Sequence, residues 1–508
     1  MSEATIWIAW LACSSEPCAQ GYGRAHDGAC VPLEGDPQDP DPGADSGPAD
    51  TGTPAHATLE GPCEAADDLG DEPLTLRGTW QSEIQDDPFI FFEGSDVVFD
   101  AAAEQVLVVG VGGLVRLEVN ADGAPTFVDN AVAYWEGRYD RIALGPAHVA
   151  VTHREHGIEI LDLETLAVVS RIEEPGVTDV HWEGEALHAV FHDGRFGSWD
   201  VSAPDRPAAR GAISSLGNPR ALDVDGDVAW VADFELGLVT LDVAATPTVL
   251  HVADTLASPQ DVSFGGDYLA VGAGSAGLQI FSLQDREAPV PSGSVDYHQA
   301  VLRVSAGSER AWGVGYEGVF VVDVTDPGSP LPRGSRATEQ FAMAVAEASA
   351  HAVVADWMHV GVWDLDPEVL APQVAVNRDV IYLTEGVSAF ELEVANLGGS
   401  DLQLTGAGFD HPGWSATADT TRVPPGTHAQ VTLSHHEGQA DDTTFCLATN
   451  DPGLPTVTLP LTTTSTTQAS MAVGETAPDF GLYDVDGGYH QLSDHLGQPI
   501  LLAFFASW

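Results

Sequence analysis

The chain has 508 residues, enough for about three domains, and it is 44% hydrophobic with a mean hydropathy of −0.01. Most of it can therefore bury a core, and wholesale disorder is excluded. Eighteen basic residues, all arginine, stand against 77 acidic ones for a net charge of −59, a field that repels phosphate and excludes nucleic acid and anionic lipid surfaces as partners.

At the N-terminus, Ala4 to Ala12 is apolar but nine residues long, far short of the roughly 20 that span a bilayer. It ends in Trp10-Leu11-Ala12-Cys13. This run resembles the cleavage box of bacterial lipoproteins, in which the cysteine is lipidated, so residues 1–13 are expected to be an export segment with Cys13 as the lipid anchor. Glu3 and Trp10 depart from the usual box. In 14–32, Cys18 and Cys30 bracket a Gly-rich stretch too short to hold itself by burial, and a disulfide between them is expected. Residues 33–62 carry seven acidic residues, six prolines and five glycines, the composition of an extended spacer. Cys63 and Cys446 are isolated in the sequence, which assigns them no pairing.

The middle of the chain, 63–368, repeats. Segments beginning at Gly113, Gly157, Arg195, Gly237, Gly277, Gly318 and His359 align, with Glu118, Asp162, Asp200, Asp242, Ser282, Asp323 and Asp364 at the sixth position. Each follows another Val-rich run that ends in a short polar turn, the pattern of strands joined by hairpins. A four-stranded unit of about 41 residues cannot bury both faces alone, and seven packed radially can, which predicts a seven-bladed β-propeller. Asp323-Val324-Thr325-Asp326-Pro327 and Asp200-Val201-Ser202-Ala203-Pro204 resemble the LVIVD-repeat consensus. That resemblance implies a propeller of exported or cell-surface proteins without assigned chemistry. His153, His192, Asp233 and Asp356 recur at the turn four or five residues before the next strand's glycine, so the propeller would gather them on one face. There they either receive an unidentified protein or small-molecule ligand, or cap backbone N–H groups. Asp223 to Asp227 resembles half a calcium loop but lacks its later glutamate, and reads as a hairpin turn. No motif calls for a metal or a cofactor.

From 372 to 464 the period gives way to longer strands, among them Ala389 to Ala395, Leu402 to Leu404, Ala429 to Ser434 and Val457 to Leu461, which predicts a β-sandwich of immunoglobulin type. The Thr449-Asn450-Asp451-Pro452 ending resembles the ASH/choice-of-anchor module of bacterial surface proteins. A Thr/Ser linker, 465–472, leads into 473–508. There Ala477-Pro478-Asp479-Phe480, Asp484-Val485-Asp486-Gly487, Leu492-Ser493-Asp494 and Phe504-Phe505-Ala506-Ser507-Trp508 resemble the opening of a redoxin, of the AhpC/TSA or TlpA thioredoxin-like kind. The resemblance implies a partial α/β thioredoxin-like domain whose redox cysteine opens the helix after Trp508, where a helix N-terminus activates the thiolate. Residues 1–508 then hold no catalytic residue, and the expected fold class is mainly β with that partial domain appended. The expected function is an exported, membrane-anchored protein that presents a thiol–disulfide oxidoreductase or peroxidase in the cell envelope, at the outer membrane, in the periplasm or secreted. The alternative is a non-enzymatic surface binding or adhesion protein acting through the propeller.

Overall fold

The computed structural model describes residues 57–59, 63, 70–81 and most of 93–464, together with the backbone of two short hairpins, Tyr22–Arg24 with Cys30–Pro32 and Gly481–Tyr483 with Tyr489–Gln491. The first hairpin belongs to a separate N-terminal unit, residues 1–54. Cys13, Cys18, the 465–472 linker and the apolar run Pro499 to Phe505 lie outside the described residues, and nothing of Cys30's side chain is described.

Alternation of Val, Leu and Ile with small residues forms strands throughout, and the described residues include seven four-stranded antiparallel sheets. Each of the first six is built from four consecutive strands, starting with Glu93–Asp100, Ile142–Leu144, Val177–Glu183, Pro219–Asp225, Asp261–Phe264 and Arg303–Ala306. The seventh consists of Ala342–Ala348, His351–Asp356 and His359–Leu365, and its outer strand is Leu74–Gln81, which precedes the first sheet in the chain. The innermost strand of each sheet touches that of the next, and the seventh touches the first. The sheets thus form a closed ring of seven blades, latched by a strand taken from the other end of the segment. Ring closure leaves no blade with an unpaired face.

The internal repeat is structural down to single residues. In all seven sheets the pairing of third with outer strand slips at the same place, between the fourth and fifth aligned residues. The slips fall at Arg116/Leu117, Ile160/Leu161, Ser198/Trp199, Thr240/Leu241, Ile280/Phe281, Val321/Val322 and Val362/Trp363. A bulge of this kind sharpens the local twist. The recurrent acid at the sixth position caps the turn that follows. Asp162 accepts from Thr165 N, Asp200 from Ser202 N, Asp242 from Ala244 N and Asp323 from Thr325 N, at 2.8 to 3.0 Å. These are Asx turns, whose side-chain oxygen replaces a backbone acceptor. Glycine opens the third strand in five of the seven blades, and at Gly157 it is required. Gly157 has φ of +115°, and a Cβ there would stand 2.1 Å from Ile172 O.

Two further sheets of five strands share one core. One runs Ala57–Thr58, Trp414–Ala418, His428–His435, Ala389–Asn396 and Val374–Val376; the other runs Ile381–Thr384, Thr456–Thr464, Thr443–Thr449, Leu402–Phe409 and Arg422–Val423. Leu392, Val394, Val431 and Leu433 from the first meet Leu404, Phe445, Leu447 and Leu459 from the second, all buried, in a β-sandwich. Ala57–Thr58 lies within the acidic 33–62 segment yet pairs with Trp414–Ala418, and Leu59 joins the sandwich core. Cys63 is disulfide-bonded to Cys446, across 383 residues of sequence. The sandwich therefore takes its first strand from before the propeller and the rest from after it. Gln373 of the sandwich accepts from Ser335 N and donates through Nε2 to Ser335 Oγ at 2.6 Å where the two bodies meet. Ala395 and Leu397 of the sandwich pack into a propeller cluster with Tyr297 and Phe320.

Candidate functional site: the axial charges and the turn face

Each blade contributes one comparable position near the start of its innermost strand, fixed by the residue opposite it on the second strand. Asp96 faces Val109, Asp179 faces Val190, Ala221 faces Ala232, Asp261 faces Gly272, Arg303 faces Val314 and Ala344 faces Ala355. In the second blade the position is Arg141, whose carbonyl accepts from Thr152 N at 2.9 Å. Around the ring the order is Asp, Arg, Asp, Ala, Asp, Arg, Ala.

The three carboxylates tie blade to blade. Asp96 accepts from Ile142 N at 3.1 Å, Asp179 from Leu222 N at 2.9 Å and Asp261 from Val304 N at 2.8 Å, each donor lying on the innermost strand of the next blade. Arg303 stands 3.4 Å from Asp261, and Arg141 3.9 Å from Asp179. Burial pushes the Asp179 carboxyl up to about 7, with Arg141 opposing and Asp96 adding to the shift. Burial likewise raises Asp261 well above the usual carboxylate range, reinforced by Asp179, and raises Asp96 against the pull of Arg141. Three acids and two guanidiniums thus act on one another around the axis, and the carboxylates tie each blade to the next. Among the described residues, no three His, Cys, Asp or Glu side chains are gathered to hold a metal ion.

The turn-face residues anticipated from the sequence all stand at or just after the end of a blade's second strand. His153 Nδ1 accepts from Glu155 N at 3.2 Å, and its ring lies 4.5 Å from that of His156. His192 donates through Nδ1 to Gly176 O at 3.1 Å. Asp233 is saturated: it accepts from Gly217, Asn218, Glu235 and Leu236 N–H groups at 2.8 to 3.0 Å. Asp356 accepts from Gln340 N at 3.1 Å with Oδ2, while its buried Oδ1 has no partner among the described residues. The four sit on four different blades, and each binds the backbone of its own turn or of the loop beside it.

The axial charges escaped the sequence reading because the position is not occupied by one residue type. It lies 15 to 17 residues before the aligned start of each third strand, so a search of that window for charged residues in otherwise apolar surroundings is the signal that points to it.

A closed ring of seven four-stranded sheets defines a β-propeller, here joined to a β-sandwich. No protein-family model matches the chain. Over 43 residues it is 44% identical to the thiol-disulfide oxidoreductase ResA of Geobacillus thermodenitrificans and 46% identical to that of Geobacillus kaustophilus. Those 43 residues are 8% of this chain and 25% of each relative, so the chain spans about a quarter of the curated relatives it matches. Among solved structures it is similar to the β-propeller domain of Cps50 (Swd1) from Myceliophteria thermophila. That similarity has 11% identity and a TM-score of 0.47, and covers 58% of this chain and 100% of the other. Among the described residues no helix is long and apolar enough to cross a membrane.

Proposed function

We propose that this chain belongs to an exported protein in which the propeller and an immunoglobulin-like sandwich carry a thioredoxin-like thiol–disulfide oxidoreductase at the C-terminal side. The observation that carries the reading is the short identity to thiol-disulfide oxidoreductases. We assign it to the C-terminal region that includes 473–508, where Ala477-Pro478-Asp479-Phe480 and Phe504-Phe505-Ala506-Ser507-Trp508 stand in redoxin spacing. The antiparallel pairing of Gly481–Tyr483 with Tyr489–Gln491 supports the reading. The Cys63–Cys446 disulfide supports an oxidising compartment, and Cys13 is the proposed lipid anchor. Chemistry of this class needs a thiolate, activated at a helix N-terminus, to attack a disulfide sulfur. A chain extended past Trp508 through the cysteine-bearing helix and the rest of that domain is expected to reduce insulin disulfides, whereas 1–508 matches a chain ending at Thr467. Turnover by 1–508 itself would overturn the assignment. Palmitate incorporation that is lost in Cys13→Ala tests the anchor. The second reading, binding at the propeller's turn face, is favoured by one specific feature, the unsatisfied Asp356.

A further inference from the structure

In a chain with 77 acidic residues against 18 arginines, an arginine without an acid is the exception. Every other arginine among the described residues stands in an ion pair with a carboxylate, and Arg220 does not. Its Nε is sealed from solvent without a hydrogen-bond partner, while its two Nη groups, equally without one, reach solvent.

The fold explains the vacancy. Arg220 is the extra residue of a bulge in the innermost strand of the fourth blade, between Pro219, which pairs with Asp233, and Ala221. The acid beside it in the ladder, Asp233, already accepts four backbone N–H groups, as many as a carboxylate has sites for. Ala221, the next residue, is the uncharged member that this blade gives to the axial series, so no axial acid of its own blade stands against the guanidinium. The bulge itself calls for no charge, since at the same place the first, third and seventh blades carry Ser95, Thr178 and Met343.

What Arg220 does meet is an aromatic ring. Its guanidinium carbon lies 4.9 Å from the centre of the Phe234 ring, a cation–π contact that holds the side chain and consumes none of its N–H donors. Phe234 and Leu236, in the turn that follows Asp233, are both exposed. The Nη pair of a guanidinium matches the two oxygens of a carboxylate as a fork. A phosphate, with its larger charge, suits a chain of net charge −59 less well.

We propose that Arg220, held on Phe234 at the turn-face side of the axial ring, binds the carboxylate of another molecule whose apolar part rests on Phe234 and Leu236. The carboxylate is that of a small aliphatic acid or the C-terminus of a peptide. The site belongs to the turn-face reading but uses a different residue from Asp356, so its failure would leave both that residue and the C-terminal redoxin untouched.

The test is a ligand-observed NMR titration of the 508-residue chain in about 150 mM salt, where charges more than about 8 Å apart are screened. The probes are hexanoate against hexanol, and acetyl-Leu-Gly-Leu with a free C-terminus against the same peptide as its amide. Binding of both acids and neither neutral partner, weakened about ten-fold or more in Arg220→Gln, supports the site. The same result with hexanoate alone assigns it to small acids, and with the peptide alone to chain termini. Failure of both acids to bind, equal binding by the neutral partners, or binding that survives Arg220→Gln overturns the proposal. Arg220→Lys guards against a folding defect, because it keeps the charge and loses only the fork. With a thermal midpoint near the parent's, it should bind more weakly than the parent and more tightly than the glutamine variant. Lysine binding no better than glutamine would also count against the site.

Discussion

Replacing Asp179 by asparagine should make the protein more stable at alkaline pH. The side chain is nine-tenths buried, accepts from Leu222 N through Oδ2 and has Arg141 3.9 Å from Oδ1. Burial lifts its carboxyl from 3.8 to about 7, so the folded protein holds a proton there that the unfolded chain has released. The stabilisation is complete below pH 3.8 and is lost as pH rises through 7, at a slope of at most about 1.4 kcal/mol per pH unit. Between pH 5 and pH 8.5 the loss comes to about 3 kcal/mol for this residue alone. Asp261 and Asp96 shift in the same direction and steepen it. Asparagine is nearly isosteric, keeps an oxygen for Leu222 N and carries no charge. Asp179→Asn should therefore match the parent near pH 5 and exceed it by about 3 kcal/mol at pH 8.5, less whatever Arg141 loses with its partner. The assay is urea unfolding followed by tryptophan fluorescence at half-unit pH steps. Parallel profiles for the two proteins would refute the reasoning, because the axial carboxyl would then titrate alike in the folded and unfolded states.

Cys63→Ser with Cys446→Ser removes a bond that closes most of the chain into one loop. The expected loss is about 2–5 kcal/mol, read as a lower calorimetric midpoint for the sandwich transition, and an unchanged midpoint counts against a structural role. Tyr139→Phe deletes the hydroxyl that donates to the buried Glu159 at 2.5 Å while leaving Arg171 at 2.7 Å. Denaturant titration should show a loss of about 1–3 kcal/mol, and a value near zero would mean that Arg171 alone satisfies the carboxylate. Gly157→Ala forces a side chain into positive φ and toward Ile172 O, at a cost of about 1–3 kcal/mol by the same titration. Tolerance of alanine there would mean that the turn refolds at no penalty.

The propeller was legible because its seven copies keep one register, so that even the bulge at the fourth aligned residue recurs. The acid at the sixth position was visible as a pattern, and its role as an Asx cap followed only from the turn geometry at Asp200 and Asp323. The axial residues were hidden for the opposite reason. Asp96, Arg141, Ala221 and Arg303 share a place and not a side chain, since complementarity between neighbouring blades rewards difference. The partnership of Cys63 with Cys446 was out of reach because it depends on Ala57–Thr58 completing a sheet whose other strands begin more than 300 residues later. At the turn face the four residues stand at equivalent places on four blades. What separates Asp356 from Asp233 is the length of the next turn, a one-residue difference easily lost in an alignment.

The nesting of the propeller between the first and second strands of the sandwich has a mechanical consequence. Tension applied between residues 57 and 464 enters through the short Ala57–Thr58 strand and meets Cys63 a few residues on, where the disulfide hands it directly to Cys446. From there it leaves along the neighbouring strand Thr456–Thr464. Everything between the two cysteines, including all seven blades, is shunted out of the load. A protein stretched between two anchorages would then keep its propeller unstrained for as long as that one bond survives. Reduction of the bond would place some 380 residues of slack in series with the pull, turning a short rigid tether into a long extensible one.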